Sequence, residues 1–165
     1  GSVSINSTVH KVVLDVVKGG WQVLHIVGSR NPLPDKDTPG YGAIQYCDRM
    51  DLAFAAATAL ISRAGAATVS EIQLLGLPAV FVPYPVGNGE QEKNAWDSLQ
   101  AGSAVLVTDA NFTPDYVRAT VLPLLGDDAA LQRMRQKAKG LGRADAAEAF
   151  VGVMRDALGQ KEKVS

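Results

Sequence analysis

Residues 58–76 have the sequence TALISRAGAATVSEIQLLG, and this stretch decides the fold class. An apolar run at 58–61 predicts a strand, and a turn of small residues leads directly into a predicted amphipathic helix over 66–75. Such a strand-to-helix turn leaves several backbone N–H groups free at the positive end of the helix. We therefore predict an anion site here, suited to a phosphate or a diphosphate.

A carboxylate lies one helical turn beyond the predicted anion site. Glu71 follows Thr68 by three residues, and its ionised side chain can only accept hydrogen bonds, as recognition of a sugar diol requires. The same spacing fits a capping box, in which the two side chains satisfy each other's backbone N–H groups. Both interpretations stay open at this point, although an anion site beside an acid favours a nucleotide sugar.

The rest of the chain alternates predicted helices and strands. We expect strands at 23–27, 43–46, 58–61, 79–83 and 104–107, and helices at 3–18, 48–57 (capped by Asp48), 66–75, 90–100, 114–125, 128–140 and 144–158. Apolar strands separated by helices predict an α/β fold, a doubly wound parallel sheet with helices on both faces. Ligands of such a sheet bind beyond the carboxyl ends of its strands. The chain opens on a helix, so we expect the first strand of the sheet to be missing.

Composition excludes several classes of protein. The 165 residues are enough for one domain, which we place at 1–158 with a polar tail at 159–165. The 16 basic and 17 acidic residues nearly cancel, which argues against a nucleic-acid partner. No apolar stretch approaches the roughly 20 residues of a membrane span. The one cysteine, Cys47, has no internal partner, which is typical of a reducing cytoplasm.

Three motifs carry a resemblance to a known family. They are RAGAATVSE at 63–71, GLPAVFVP at 76–83 and GNGEQEKNA at 87–95. In this order they resemble the MurG family of bacterial transferases, which add N-acetylglucosamine to lipid I to make lipid II, and GNGEQ is typical of its actinobacterial members. The resemblance runs to about residue 158 but covers only the C-terminal half of the family's proteins, which binds UDP-N-acetylglucosamine. It implies the Rossmann-like half of a GT-B glycosyltransferase.

The resemblance implies a set of substrate-binding residues: Cys47, Ala66, Ala67, Thr68, Ser70, Glu71, Gln91 and Asn94, with Tyr46, Met50, Arg63 and Gly65 as further candidates. The diphosphate would lie at the N-terminus of the helix over 66–75, assisted by Ser70, with the ribose at Glu71. Main-chain groups at Cys47 would hold the uracil. Gln91 and Asn94 would hold the sugar hydroxyls, since residues i and i+3 share one helix face. Arg63 fits either a phosphate contact or a structural ion pair.

Two departures from the family limit what this chain is expected to do. The family has a Gly-Gly-Ser-x-Gly loop before the first helix, of which this chain retains at most Gly1. The family's N-terminal domain, with the acceptor site, the base and the membrane-facing patch, has no counterpart here. We therefore expect no catalytic residue in this chain, weak donor binding and no transfer by the chain alone.

The resemblance also implies a cellular location, a set of partners and the absence of a cofactor. It implies a protein on the cytoplasmic face of the cell membrane, peripherally attached through the other domain, which also meets lipid I. No cofactor and no metal are required. Asp35-Lys36-Asp37 imitates the acid-x-acid signature of metal-dependent glycosyltransferases, but it lies in a proline-rich polar loop, and we interpret it as solvated.

Two other functions remain open. One is another GT-B enzyme acting on UDP-sugars, such as a UDP-N-acetylglucosamine 2-epimerase, which would need further acidic and basic groups around the diphosphate. The other is a non-catalytic nucleotide-binding module.

Overall fold

A computed structural model describes residues 2–34 and 38–141 of the chain. The strands are β1 (Val23–Ile26), β2 (Tyr41–Ile44), β3 (Leu60–Ser62), β4 (Ala79–Phe81) and β5 (Ala104–Leu106). The helices are α1 (Val3–Lys18), α2 (Met50–Ala56), α3 (Ala66–Leu75), α4 (Glu90–Ala101), α5 (Pro114–Tyr116), α6 (Leu122–Leu125) and α7 (Asp128–Lys139), with a π-helical segment, Val117–Val121, between α5 and α6. The predicted alternation of strands and helices is confirmed. The predicted helix at 144–158 and the tail at 159–165 lie outside the described residues.

Helices cover both faces of the central strand β4. Phe81 belongs to a buried cluster that includes Val69 of α3, whereas its neighbour Val80 belongs to a second cluster that includes Val12 of α1. Successive side chains of a strand point to opposite faces, so these two clusters lie on opposite sides of the sheet. This confirms the doubly wound arrangement.

The strands pair in two groups instead of one continuous sheet. β1 pairs with β2, and β3, β4 and β5 pair in that order, every pair being parallel. In a doubly wound sheet the first strand lies between the second and the fourth, which correspond here to β1 and β3. The described strands divide at this position, and their order within each group agrees with a doubly wound sheet.

Two element boundaries differ from the predictions. β2 begins at Tyr41, two residues before the predicted strand, because its register is fixed by pairing with β1 and Val23 lies opposite Tyr41. α2 begins at Met50 after Arg49, so the predicted cap by Asp48 is wrong. Arg49 instead forms a two-pronged ion pair with Asp51 in the first turn. The start of β2 therefore depends on a pairing that local sequence patterns do not contain.

A π-helical turn interrupts the helix predicted over 114–125. Pro123 lacks an N–H group, so it cannot donate the usual bond to the carbonyl four residues earlier. The backbone widens just before this residue, over Val117–Val121, and then resumes as α6. None of the helices that the structure describes is both long enough and apolar enough to cross a membrane.

Glycines flank α3, the helix that carries the predicted anion site. At its start Gly65 adopts an extended conformation, with φ −65° and ψ 144°. At its end Gly76 adopts the left-handed conformation that favours glycine, with φ 66°. The N–H of Leu77 donates to the carbonyl of Ile72 at 3.0 Å, which completes a Schellman motif. The local sequence therefore fixes the length and start of this helix.

Candidate functional site

The first turn of α3 presents free backbone donors directly after β3. The earliest bond of the helix joins the N–H of Val69 to the carbonyl of Gly65 at 2.9 Å. No described residue accepts a hydrogen bond from the N–H groups of Ala66, Ala67 or Thr68. Ala66 and Ala67 are exposed and carry no side chain large enough to cover the turn. Three amides at the positive end of a helix are thus available to an anion.

The capping-box interpretation of Thr68 and Glu71 is wrong. The N-cap is Gly65, and Thr68 is the third residue inside the helix, so its side chain is not in the capping position. Glu71 is exposed, and no described side chain donates to it or pairs with it. Ser70 beside it is exposed as well. The carboxylate is therefore free to accept hydrogen bonds from a ligand one turn beyond the three amides.

The start of α3 opens onto a large cleft between the two groups of strands, which we call the inter-sheet cleft. Its volume is about 1680 Å³. Five of the predicted site residues contribute to its lining: Met50, Arg63, Gly65, Thr68 and Gln91. The structure thus brings residues from three separate segments, which follow β2, β3 and β4, around one opening.

Gln91 and Asn94 converge on the loop between β3 and α3. The Oε1 atom of Gln91 accepts from the N–H of Ala64 at 3.2 Å and from the N–H of Tyr84 at 2.9 Å. The Nδ2 atom of Asn94 donates to the carbonyl of Ala64 at 3.1 Å. No described residue bonds to the other half of either amide, the Nε2 of Gln91 and the Oδ1 of Asn94. Both side chains therefore hold the loop that presents α3 and keep one polar atom available.

Arg63 is a structural residue. Its Nη1 donates to the carbonyls of Val82 and Pro83 at 3.0 and 2.9 Å, and its Nη2 donates to the hydroxyl of Ser4 at 2.8 Å. It also forms an ion pair with Asp109, which accepts from the Ser4 hydroxyl at 2.7 Å. With these partners Arg63 ties together the carboxyl ends of β3 and β4 and the start of α1. We therefore do not retain it as a phosphate contact.

Asp109 is a site-edge residue that the sequence reasoning missed. Burial raises the pKa of its carboxyl group, but the hydrogen bonds from Ser4 and Arg63 and the charge of Arg63 outweigh burial, so the pKa lies below its usual value. Asp109 is ionised at neutral pH and neutralises Arg63. The signal was present in the sequence, because Asp109 follows β5 at the same edge where ligands of such sheets bind.

The residues proposed for the uracil lie in the loop after β2. Tyr46 is exposed, and Cys47 is partly buried and is a free thiol. Neither side chain contacts α3 through a hydrogen bond among the described residues. The structure thus places these two at the end of a parallel strand, and Met50 on the cleft wall, without joining them to the anion site.

A buried polar group lies on β1. His25 is 7% exposed, with its Nε2 3.0 Å from Oδ1 of Asn6 and its Nδ1 2.8 Å from the hydroxyl of Tyr41. The Nδ2 of Asn6 donates to the carbonyl of Val27, so its Oδ1 is the acceptor for His25. The neutral ring therefore carries its proton on Nε2 and accepts from Tyr41 on Nδ1.

This histidine predicts acid sensitivity of the fold. Burial, together with the neighbouring His10, lowers the pKa of His25 from 6.5 to about 4. The unfolded chain takes up the proton near 6.5, so it binds more protons than the folded chain between the two values, and stability falls as the pH drops through this window. We expect the wild type to lose about 1–2 kcal/mol more than His25→Gln between pH 7 and pH 5 in urea titrations. Parallel pH profiles of the two proteins would contradict this role.

The site is built to stabilise negative charge. Its chemical groups are backbone amides at a helix N-terminus, two side-chain amides and one free carboxylate. Within residues 2–34 and 38–141, no three His, Cys, Asp or Glu side chains lie close enough together to hold a metal ion. Asp35-Lys36-Asp37 is outside the described residues.

Comparison with known proteins identifies the family. Residues 1–150 match the family model described as the glycosyltransferase family 28 C-terminal domain. The chain belongs to this family. The turn between β3 and α3 therefore belongs to a glycosyltransferase family 28 domain.

Curated relatives agree with this assignment. The chain is 48% identical to a protein of Clavibacter michiganensis subsp. michiganensis over 96% of its own length and 43% of the relative's. It is 44% identical to a protein of Streptomyces collinus over 98% of its own length and 46% of the relative's. Both relatives carry the name UDP-N-acetylglucosamine--N-acetylmuramyl-(pentapeptide) pyrophosphoryl-undecaprenol N-acetylglucosamine transferase. The chain spans less than half the length of these relatives.

Solved structures support the same fold. A crystal structure of Acinetobacter baumannii MurG matches with a TM-score of 0.65 and 27% identity, over 70% of this chain and 33% of that one. The kitacinnamycin glycotransferase matches with a TM-score of 0.68 over 91% of this chain and 39% of that one. At 20% identity, this second likeness concerns the fold alone.

Proposed function

We propose that this chain is the donor-binding part of an inverting glycosyltransferase that moves N-acetylglucosamine from UDP-N-acetylglucosamine to lipid I, forming lipid II. The observation that carries the proposal is the turn between β3 and α3, where three amides without described partners lie one helical turn from the exposed Glu71. The identity to the curated transferases, above 40% across nearly the whole chain, supports the choice of sugar and acceptor.

The donor would be held by groups of different kinds. The amides of Ala66, Ala67 and Thr68 bind the diphosphate, with Ser70 beside them, and Glu71 accepts from the ribose hydroxyls. The free polar atoms of Gln91 and Asn94 bind the sugar hydroxyls. Main-chain groups at Cys47, near Tyr46 and Met50, bind the uracil.

The contribution of this chain to the reaction is electrostatic. An acceptor hydroxyl attacks the anomeric carbon, the bond to the diphosphate breaks, and negative charge develops on the departing UDP. Preorganised amides aimed at that charge stabilise the transition state, each by roughly 3 kcal/mol. The base that takes the proton of the acceptor hydroxyl lies outside this chain, as do the contacts with lipid I. Attachment at the cytoplasmic face of the membrane is proposed through those other parts of the enzyme.

A titration with four nucleotides tests the proposal. UDP, UDP-glucose, UDP-N-acetylglucosamine and ADP are added to the purified chain, and binding is followed by calorimetry. We expect weak binding of all three uridine nucleotides, the tightest for UDP-N-acetylglucosamine, and none for ADP. Equal affinity for ADP and UDP would favour an unselective nucleotide-binding module. Isomerisation of UDP-N-acetylglucosamine at C2 of the sugar, followed by NMR, would instead indicate the epimerase.

A further inference from the structure

Tyr84 is an exposed aromatic residue in the loop between β4 and α4. It is 54% exposed, although it lines the inter-sheet cleft together with Gly65 and Gln91. A single exposed apolar side chain is ordinary on a protein surface. This one, however, lies at the carboxyl edge of the sheet, where ligands of doubly wound folds bind. Its ring is therefore within the candidate site and open to a ligand.

Arg63 holds the ring of Tyr84 from one side. The Cζ atom of Arg63 lies over this ring, 5.4 Å from its centroid. Arg63 is itself fixed by two backbone carbonyls at the end of β4 and by the ion pair with Asp109. A guanidinium over the face of an aromatic ring is attracted by the π-electrons. Because this contact occupies one face of the ring, the exposed surface of Tyr84 lies on the opposite face and at the ring edges.

Gln91 holds the backbone of the same residue. The N–H of Tyr84 donates to the Oε1 atom of Gln91 at 2.9 Å. The same oxygen accepts from the N–H of Ala64 at 3.2 Å, so one side chain connects the loops that follow β3 and β4. The Nε2 atom of Gln91, to which no described residue bonds, therefore lies close to the backbone of Tyr84. A fixed aromatic ring and a free amide group thus share one corner of the site.

This corner corresponds to the sugar end of the proposed donor complex. In that complex the uracil lies after β2 and the diphosphate lies after β3, at the start of α3. The next strand beyond β3 is β4, with which it pairs on the side away from the cleft. A ligand that extends from the end of β2 past the end of β3 reaches the end of β4 last, where Tyr84 and Gln91 are connected.

A pyranose ring needs two kinds of contact. Its hydroxyl groups lie around the rim and require hydrogen-bond donors and acceptors, whereas its C–H groups form apolar faces. In N-acetylglucosamine the hydroxyl and acetamido groups are equatorial, so they leave the C–H faces uncovered. An aromatic ring that packs on such a face buries apolar surface and brings the C–H groups over the negative π-electrons. The free atoms of Gln91 and Asn94 suit the rim, and the open face of Tyr84 suits the C–H face.

We propose that Tyr84 is a sugar-binding residue whose ring stacks on a C–H face of the donor's N-acetylglucosamine, while Gln91 and Asn94 bind the hydroxyl groups. The inference rests on the proposed function and deepens it, because it adds a residue that recognises the sugar by its apolar face. Arg63 is a positioning residue in this arrangement, since it fixes the ring from the side that the sugar does not touch.

Two variants of Tyr84 test the proposal in the purified chain. Tyr84→Ala removes the ring but retains the backbone N–H that donates to Gln91. We expect it to bind UDP-N-acetylglucosamine and UDP-glucose roughly fivefold more weakly than wild type in calorimetry, with the affinity for UDP unchanged. Tyr84→Phe retains the stacking face and should bind all three ligands as wild type does. Trp96→Ala, which removes another exposed aromatic side chain, is the matched control and should change none of the affinities.

Saturation-transfer NMR adds a readout that a merely structural role would not move. Selective irradiation of the aromatic protons of the protein transfers saturation to ligand protons that lie against an aromatic ring. In the wild type and in Tyr84→Phe, the sugar-ring protons of UDP-N-acetylglucosamine should receive saturation. In Tyr84→Ala this signal should be lost from the sugar ring, while signals from the uridine part remain as in the wild type.

The outcomes separate this inference from the proposed function. Equal weakening of UDP and of both sugar nucleotides in Tyr84→Ala would mean that the ring only supports the loop, which would overturn the inference. Unchanged affinities in Tyr84→Ala, with all three ligands weakened in Glu71→Ala, would also overturn it and would leave the proposed function intact. If the wild-type chain binds none of the three uridine nucleotides, the proposed function fails and the role of Tyr84 fails with it.

Discussion

Ala66→Pro is expected to weaken binding of UDP and UDP-N-acetylglucosamine by roughly 30-fold, or about 2 kcal/mol, while leaving the fold intact. Proline removes one N–H group from the first turn of α3, and this N–H has no described partner in the protein. The first position of a helix favours proline, and Gly65 before it already has the extended conformation that a preceding residue needs. The loss would therefore come from the ligand contact alone.

The control variant removes a backbone N–H group from the first turn of a different helix, α7. Asp128→Pro replaces the first residue of α7, whose N-cap, Asp127, has φ −100° and ψ 88°, outside the helical region that a following proline disfavours. We expect thermal unfolding of both variants within a few degrees of wild type, and full nucleotide affinity for Asp128→Pro. Isothermal titration with UDP decides the matter. If Ala66→Pro binds UDP as well as wild type, the diphosphate does not lie at this turn and the proposed site is wrong.

The second large effect is expected at Glu71. Glu71→Ala should weaken UDP, UDP-glucose and UDP-N-acetylglucosamine equally, by roughly ten- to hundredfold, because a hydrogen bond to a charged group contributes about 1.5–3 kcal/mol. Equal loss follows because the ribose is common to all three ligands. Asp97→Ala, which removes another exposed carboxylate, is the matched control and should change none of the three affinities.

Asn94→Ala separates sugar binding from loop support. If Asn94 binds the sugar, UDP-N-acetylglucosamine loses affinity while UDP does not. Because its side chain also donates to Ala64, a purely structural role would weaken all ligands together through the displaced loop. Calorimetric titration of the two ligands against Asn94→Ala distinguishes the two roles.

For Glu71→Ala, a loss of affinity confined to the sugar-bearing ligands would contradict the assignment of Glu71 to the ribose.

The local sequence was sufficient for α3 and its turn. Small residues and glycines at 64–67 fix the start of the helix, Gly76 fixes its end, and their conformations depend only on neighbours in the chain. Most strand and helix positions could likewise be predicted from the local sequence, since the spacing of hydrophobic residues indicates which face of a helix or strand is buried. The boundary of β2 was displaced because pairing with β1 sets it.

The roles of polar residues depended on partners distant in the sequence. Arg63 looked equally suited to phosphate and to an ion pair, until Asp109 and Ser4, from β5 and α1, were found against it. Gln91 and Asn94 were chosen for a sugar, yet each also holds the backbone at Ala64. Residue type gives the capacity to form a hydrogen bond, but the fold determines which partner is within reach.

The sequence by itself determined that α3 would present free amides with a carboxylate one turn later, because the helix start is a local property of the backbone. Only the tertiary structure decided that Arg63 is internally paired, and that β1 and β3 face each other across an unfilled cleft. These features arise from contacts between segments tens of residues apart. Their energies depend on distance and burial, which are set by packing and are invisible in a linear pattern.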